Sequence, residues 1–132
     1  MTIAYLCIGL LALPIFALGF AVSCFRDYDH MIGTPTDPTH RLLKFARAHG
    51  NTAEYAPMLA ILIYLAALQD PAAWVVWMMG IAVASRYLIV IGLVAFQTLD
   101  KPNIFRMAGA TGTYISGAAL AVAVILGAWR TI

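Results

Sequence analysis

An all-α membrane protein, a bundle of four transmembrane helices, is the fold class this sequence predicts, and three observations predict it. The 132 residues are 63% hydrophobic and 11% charged, against about 25% charged in a typical soluble domain. The mean hydropathy is +0.87. The apolar residues fall into four blocks, 3–25, 45–68, 72–96 and 104–129, each longer than the roughly 20 residues a helix needs to span a bilayer. Backbone groups in lipid must be satisfied within the segment, which makes each block a helix. No block alternates with the period of 2 that a barrel strand would show. The chain is short enough to be one domain, 1–132, with helices expected over about 3–25, 40–68, 72–97 and 104–129.

The first block lacks the basic flank of a signal peptide and is long for its apolar region. Ala21-Val22-Ser23-Cys24 resembles a lipoprotein cleavage box only faintly, for the same reason. Pro14 sits in mid-span with Gly19 beyond it, so a packing kink is expected. Cys7 and Cys24 lie at opposite ends of this helix, about 25 Å apart by helical rise, and cannot bridge within one chain.

Residues 26–41 form the one long connection. Its segment Gly33-Thr34-Pro35-Thr36-Asp37-Pro38-Thr39 is rich in turn formers. Thr36, Asp37 or Thr39 is the expected cap of the second helix, with Pro38 near its first turn.

The second helix carries the most informative stretch, Arg47-Ala48-His49-Gly50-Asn51-Thr52-Ala53-Glu54-Tyr55. Arg47, Asn51 and Glu54 are spaced i, i+4, i+7 and share one helical face. Glu54 is the sole glutamate. Ionisable and amide groups entering a bilayer are costly and usually mark a site. His49 falls between them but off their face, and reads as packing. His30 and His40 have no matching ligand set, so no metal is expected.

Gln69-Asp70-Pro71 is a tight turn that folds the second and third helices into an antiparallel hairpin. With the turn centred near Asp70, Glu54 and Arg86 fall at matching depth. A charge left alone there costs roughly 3 kcal/mol, so a Glu54–Arg86 contact is expected, within the chain or across an oligomer interface. The fourth helix opens at Arg106, after Asp100-Lys101-Pro102-Asn103. Its small residues, including Gly109, Gly112, Thr113, Ser116 and Gly117, suit close helix packing. Tyr114 reads as a packed aromatic.

Basic residues set the orientation. Arg26, Arg41 and Lys44 lie in the first connection, with Arg47 at its edge, and Lys101 and Arg106 lie in the third. The second has none, and the C-terminus has only Arg130. The first and third connections are therefore expected in the cytoplasm and both termini outside. Trp74, Trp77 and Trp129 fall at the opposite, outer interface, as amphipathic rings prefer. The net charge of +2 is topogenic and calls for no nucleic-acid partner.

The pattern Arg47-Ala48-His49-x-Asn51-x-x-Glu54-Tyr55-x-Pro57 resembles that of the MAPEG family, membrane-associated proteins of eicosanoid and glutathione metabolism. The likeness extends to four helices, a polar first loop, an arginine within the third helix and one opening the fourth. It is that of a bacterial-type member, which would sit in an inner membrane. The resemblance implies a homotrimer with glutathione as co-substrate between protomers, open to the cytoplasm. It implies that Arg47, Asn51, Glu54, Tyr55 and Arg86 bind glutathione and that Arg106 stabilises its thiolate. The chemistry is coherent: arginines suit carboxylates, a carboxylate suits an ammonium group, and a guanidinium favours a thiolate. An apolar second substrate would enter from the lipid.

Some members carry tyrosine or histidine where this chain has Ile89, tyrosine where it has Leu93, serine at Met107 and tyrosine at Ala110. The apolar replacements favour a broad transferase or peroxidase over a specialised leukotriene or prostaglandin synthase. Two other readings belong to different classes. One is a non-catalytic membrane scaffold, in which Glu54 and Arg86 only lock packing. The other is a small proton-coupled transporter using Glu54 as its proton site.

Overall fold

The computed structural model describes residues 1–129; Arg130, the basic residue counted at the C-terminus, lies outside them. Four helices follow one another: α1 Thr2–Tyr28, α2 Arg41–Ala67, α3 Ala73–Val94 and α4 Ile104–Trp129. Among the described residues there is no strand.

α2 and α3 form the central pair, each touching all three other helices, while α1 and α4 flank them without meeting each other. The α1–α2 and α3–α4 connections share one end of the bundle, here called the basic end. The α2–α3 turn lies at the other, the hairpin end. Asp70 makes that turn with a left-handed φ of 50°. Gln69 pins it to α4 through a 3.3 Å bond from Nε2 to the Val124 carbonyl.

By length and composition, α1, α3 and α4 are each apolar enough to cross a membrane, which fits an integral membrane protein. α2 is as long as α1 but carries Arg41, Lys44, Arg47 and Glu54 in its first half, so it is not among them. Four spans were expected from the sequence; three qualify unaided, and α2 is packed between them as the fourth helix of the bundle.

The main core lies toward the hairpin end. Ala4, Cys7 and Leu11 of α1 pack with Ile63 and Ala66 of α2, Met79 and Ala82 of α3, and Leu120 of α4. The outward side of α1 shows Leu6, Leu13, Phe16 and Phe20, an apolar surface of the kind lipid solvates. α1 runs on through Pro14, which is buried. The small residues of α4 are used within the chain. A Cβ on Gly109 would come within 2.7 Å of the Ser85 carbonyl oxygen, and one on Gly112 would overlap Ser85 Oγ. Glycine at both positions is what lets α3 and α4 lie this close.

The cap of α2 differs from expectation. His40 caps the helix, its Nδ1 accepting from the Leu42 amide at 3.2 Å. Asp37 instead closes a turn outside the helix, accepting from the Thr39 amide and hydroxyl, each at 2.8 Å. Residues 37–40 make a turn closed by the His40 amide on the Asp37 carbonyl at 3.0 Å, so the helix begins only at Arg41, after the positions an aspartate or threonine cap would set.

Candidate active-site cleft

At the basic end the helices diverge around a cleft of about 900 Å³. α2 contributes Arg47, Asn51 and Glu54 to it, together with Leu43, Ala46 and Gly50. The i, i+4, i+7 face thus points into a cavity. Arg106 and Met107 of α4 lie across from it, with Ile89 and Leu93 of α3 and Ala110 of α4 forming an apolar wall. The connecting loops close the end with Thr36, Pro38, Leu99, Asp100 and Pro102.

Arg106 is the most firmly held of the cleft cations. Asn103 caps α4, accepting from the Arg106 amide at 3.0 Å through Oδ1 and donating from Nδ2 to the Gly92 carbonyl at 2.8 Å. The guanidinium turns back on the loop, Nη1 donating to the carbonyls of Leu99 at 2.8 Å and Lys101 at 3.4 Å. Its Nε and Nη2 make no hydrogen bond among the described residues. Gly92 is what admits this arrangement: a Cβ there would lie 2.7 Å from both Cγ and the backbone nitrogen of Arg106.

The two loops are tied to each other. The Leu99 amide donates to the Pro38 carbonyl at 3.1 Å, and Lys44 Nζ donates to the Phe96 carbonyl at 2.9 Å. Asp29 receives Arg41 Nη2 at 2.7 Å, and the Arg41 guanidinium lies over the rings of Phe25 and Tyr28. Of the first connection, Thr36 and Pro38 line the cleft, whereas Asp27 and Tyr28 do not.

Arg86 and Tyr55 lie off the cleft. Arg86 is fully buried between helices. Its Nη2 donates to Asn51, to the backbone carbonyl at 2.9 Å and to Oδ1 at 2.6 Å. The expected contact with Glu54 is not made within the chain. The guanidinium reaches one turn nearer the basic end, to Asn51, which faces α3, whereas Glu54 is exposed. Arg86 Nε and Nη1 are buried without a partner. The Arg86 guanidinium also lies 5.2 Å from the centre of the Tyr55 ring. Tyr55 in turn packs edge-on against Tyr114, their hydroxyls 3.4 Å apart. His49 faces α1, its ring against the bare backbone of Gly19.

Arg47 and Glu54 make no hydrogen bond or ion pair among the described residues. Among the described residues the cleft therefore presents an unpaired cation and an unpaired anion about two turns apart on the same helix, facing a fixed arginine.

The model of the MAPEG family matches residues 3–126, which include every residue of the cleft. The chain belongs to the MAPEG family. No curated protein and no solved structure matches it. Membership of MAPEG, a helical membrane family that includes glutathione transferases and related enzymes, supports a membrane function of the glutathione-related transferase or peroxidase type. In this MAPEG chain Lys44, Leu99 and Asn103 emerge as structural parts of the site. Asn103 was legible as a helix cap ahead of Arg106; the Leu99 backbone bonds carry no signal in a sequence.

Proposed function

We propose that this protein is an integral-membrane glutathione-dependent transferase or peroxidase acting on apolar electrophiles or hydroperoxides. The observation that carries the reading is the convergence of Arg47, Asn51, Glu54 and Arg106 on one cleft whose remaining wall is apolar. Glutathione is a zwitterionic, doubly carboxylated tripeptide. Arg47 suits a carboxylate and Glu54 the ammonium group, and neither has a competing partner among the described residues. Among the described residues Arg106 keeps Nε and Nη2 free, so it can favour the thiolate over the thiol. Ile89, Leu93, Met107 and Ala110 offer an apolar second substrate a dry surface.

In conjugation, the thiol releases its proton to water, the thiolate sulfur forms the new bond to carbon, and the leaving group departs with its electron pair. With a hydroperoxide, the sulfur takes the terminal oxygen and the departing alkoxide takes a proton. A second glutathione then displaces water from the sulfenic acid to give the disulfide.

A homotrimer belongs to this reading. Tyr114 is 61% exposed and Glu54 is exposed on the single chain, a poor surface for lipid and a good one for a second copy. The reading also keeps the orientation argued from charge: four spans, the basic end in the cytoplasm, and both termini outside.

Calorimetric titration of glutathione into detergent-purified protein tests the proposal, alongside Arg47→Ala and Arg106→Ala. Binding that weakens about tenfold in Arg47→Ala, with the ultraviolet thiolate band lost in Arg106→Ala, supports it. No binding to well-folded wild type refutes it and turns attention to a scaffold or a transporter.

A further inference from the structure

Arginine has donors and no acceptor. The two bonds that Arg86 Nη2 makes to Asn51, at 2.9 Å to the backbone carbonyl and 2.6 Å to Oδ1, therefore fix which way the Asn51 amide points. If the amide were flipped, donor would face donor at a fully buried guanidinium. Oδ1 is turned to α3, and Nδ2 is turned away from it. Asn51 lines the cleft, and its Nδ2 has no partner among the described residues. Arg86 does not line the cleft and is 0% exposed, so it cannot meet a ligand directly.

We infer that Arg86 is a positioning residue that locks the Asn51 amide, so that the cleft meets Asn51 only as an N–H donor and the ligand group opposite must be an acceptor. Resting on the glutathione reading above, this assigns a carboxylate or peptide carbonyl of glutathione to Asn51 and excludes its ammonium group from that position. The α2 face then reads as a fixed order: cation at Arg47, neutral donor at Asn51, anion at Glu54. A ligand is sorted along it by the polarity of its own groups.

Asn51→Asp tests the lock. The new carboxylate still accepts from Arg86 and matches the amide in size, so the fold is kept, while the donor gives way to an acceptor that also carries a negative charge. Wild type, Asn51→Asp, Asn51→Ala, Arg86→Met and Arg86→Gln are compared by thermal melting in detergent and by glutathione calorimetry. Asn51→Asp should melt no lower than wild type yet bind glutathione at least about tenfold more weakly. Arg86→Met frees the amide to flip and should weaken binding several-fold. Arg86→Gln restores a donor to Oδ1 and should recover binding to within about twofold of wild type.

Wild-type affinity in Asn51→Asp overturns the inference, as does Arg86→Gln binding as poorly as Arg86→Met. If Arg86→Met does not fold, Asn51→Asp decides alone. Should wild type bind no glutathione, the functional reading falls and melting judges the lock. Asn51→Asp melting above Asn51→Ala sustains it; the reverse order overturns it.

Discussion

The two ends of the bundle are built on different terms. Toward the hairpin end all four helices contribute side chains to one apolar core, Leu11, Ile63, Met79 and Leu120 among them. Toward the basic end the buried apolar cluster is smaller, Leu18, Ala48, Ile89 and Leu93. The space it gives up is the cleft, and cohesion passes to single polar bonds: Lys44 to Phe96, Leu99 to Pro38, Arg106 to Leu99, Asn103 to Gly92. Dense packing fixes geometry at one end so that an open, charged cavity can persist at the other. Stability and ligand affinity should therefore respond to different residues.

The sharpest break between the ends is expected at Arg106. Replacing it with alanine should lower conjugation turnover on the order of 10²–10³-fold, as loss of one charge-stabilising donor does elsewhere, with a small change in melting temperature. Turnover of a chlorodinitrobenzene-type electrophile checks it. Ile63→Ala is the counterpart. It opens a cavity in the hairpin-end core and should cost about 2–5 kcal/mol of stability, while glutathione affinity stays at the wild-type value. If Ile63→Ala shifts affinity as much as stability, the division between the ends fails.

Gly109→Ala comes next. Its Cβ would press on the Ser85 carbonyl and the Ile89 amide, forcing α3 from α4 at a cost of about 1–3 kcal/mol. Because Ile89 is also a cleft wall, this variant should move both melting and affinity, marking where the two ends meet. Lys44→Met removes the bond to Phe96 and should cost about 1 kcal/mol, seen as faster amide exchange in the α3–α4 loop.

The smallest effect belongs to Asp37. The Thr39 amide, then its hydroxyl, hold the carboxyl below its ordinary value of 3.8. A folded value below the unfolded one stabilises above the unfolded value, and the gain is lost as pH falls through the folded one. Wild type and Asp37→Asn should thus differ slightly in melting at neutral pH and converge below about pH 4.

Much of this was readable in the chain. Long apolar blocks set the four helices because lipid leaves the backbone no other partner, and helical periodicity put Arg47, Asn51 and Glu54 on one face. What the sequence could not supply was contact across helices. Matching depth pointed Arg86 at Glu54, but depth does not say which side of α2 faces α3, and that rotation hands Arg86 to Asn51. The cap fell to His40 because a turn from Asp37 to His40 precedes the helix. Sequence pattern weighs aspartate and threonine as caps ahead of a histidine ring nitrogen.

Gly92 carries a consequence for how such a site is tuned. The first turn of α4 rests on that glycine with no room for a methyl group between it and Arg106. The reach of the arginine into the cleft is therefore set by a single hydrogen atom on the neighbouring helix. A displacement of even 1 Å in a reacting geometry is worth on the order of 10²-fold in rate. Residue 92 thus works as a shim: its thickness calibrates the distance between Arg106 and whatever fills the cleft, without altering the chemistry of either.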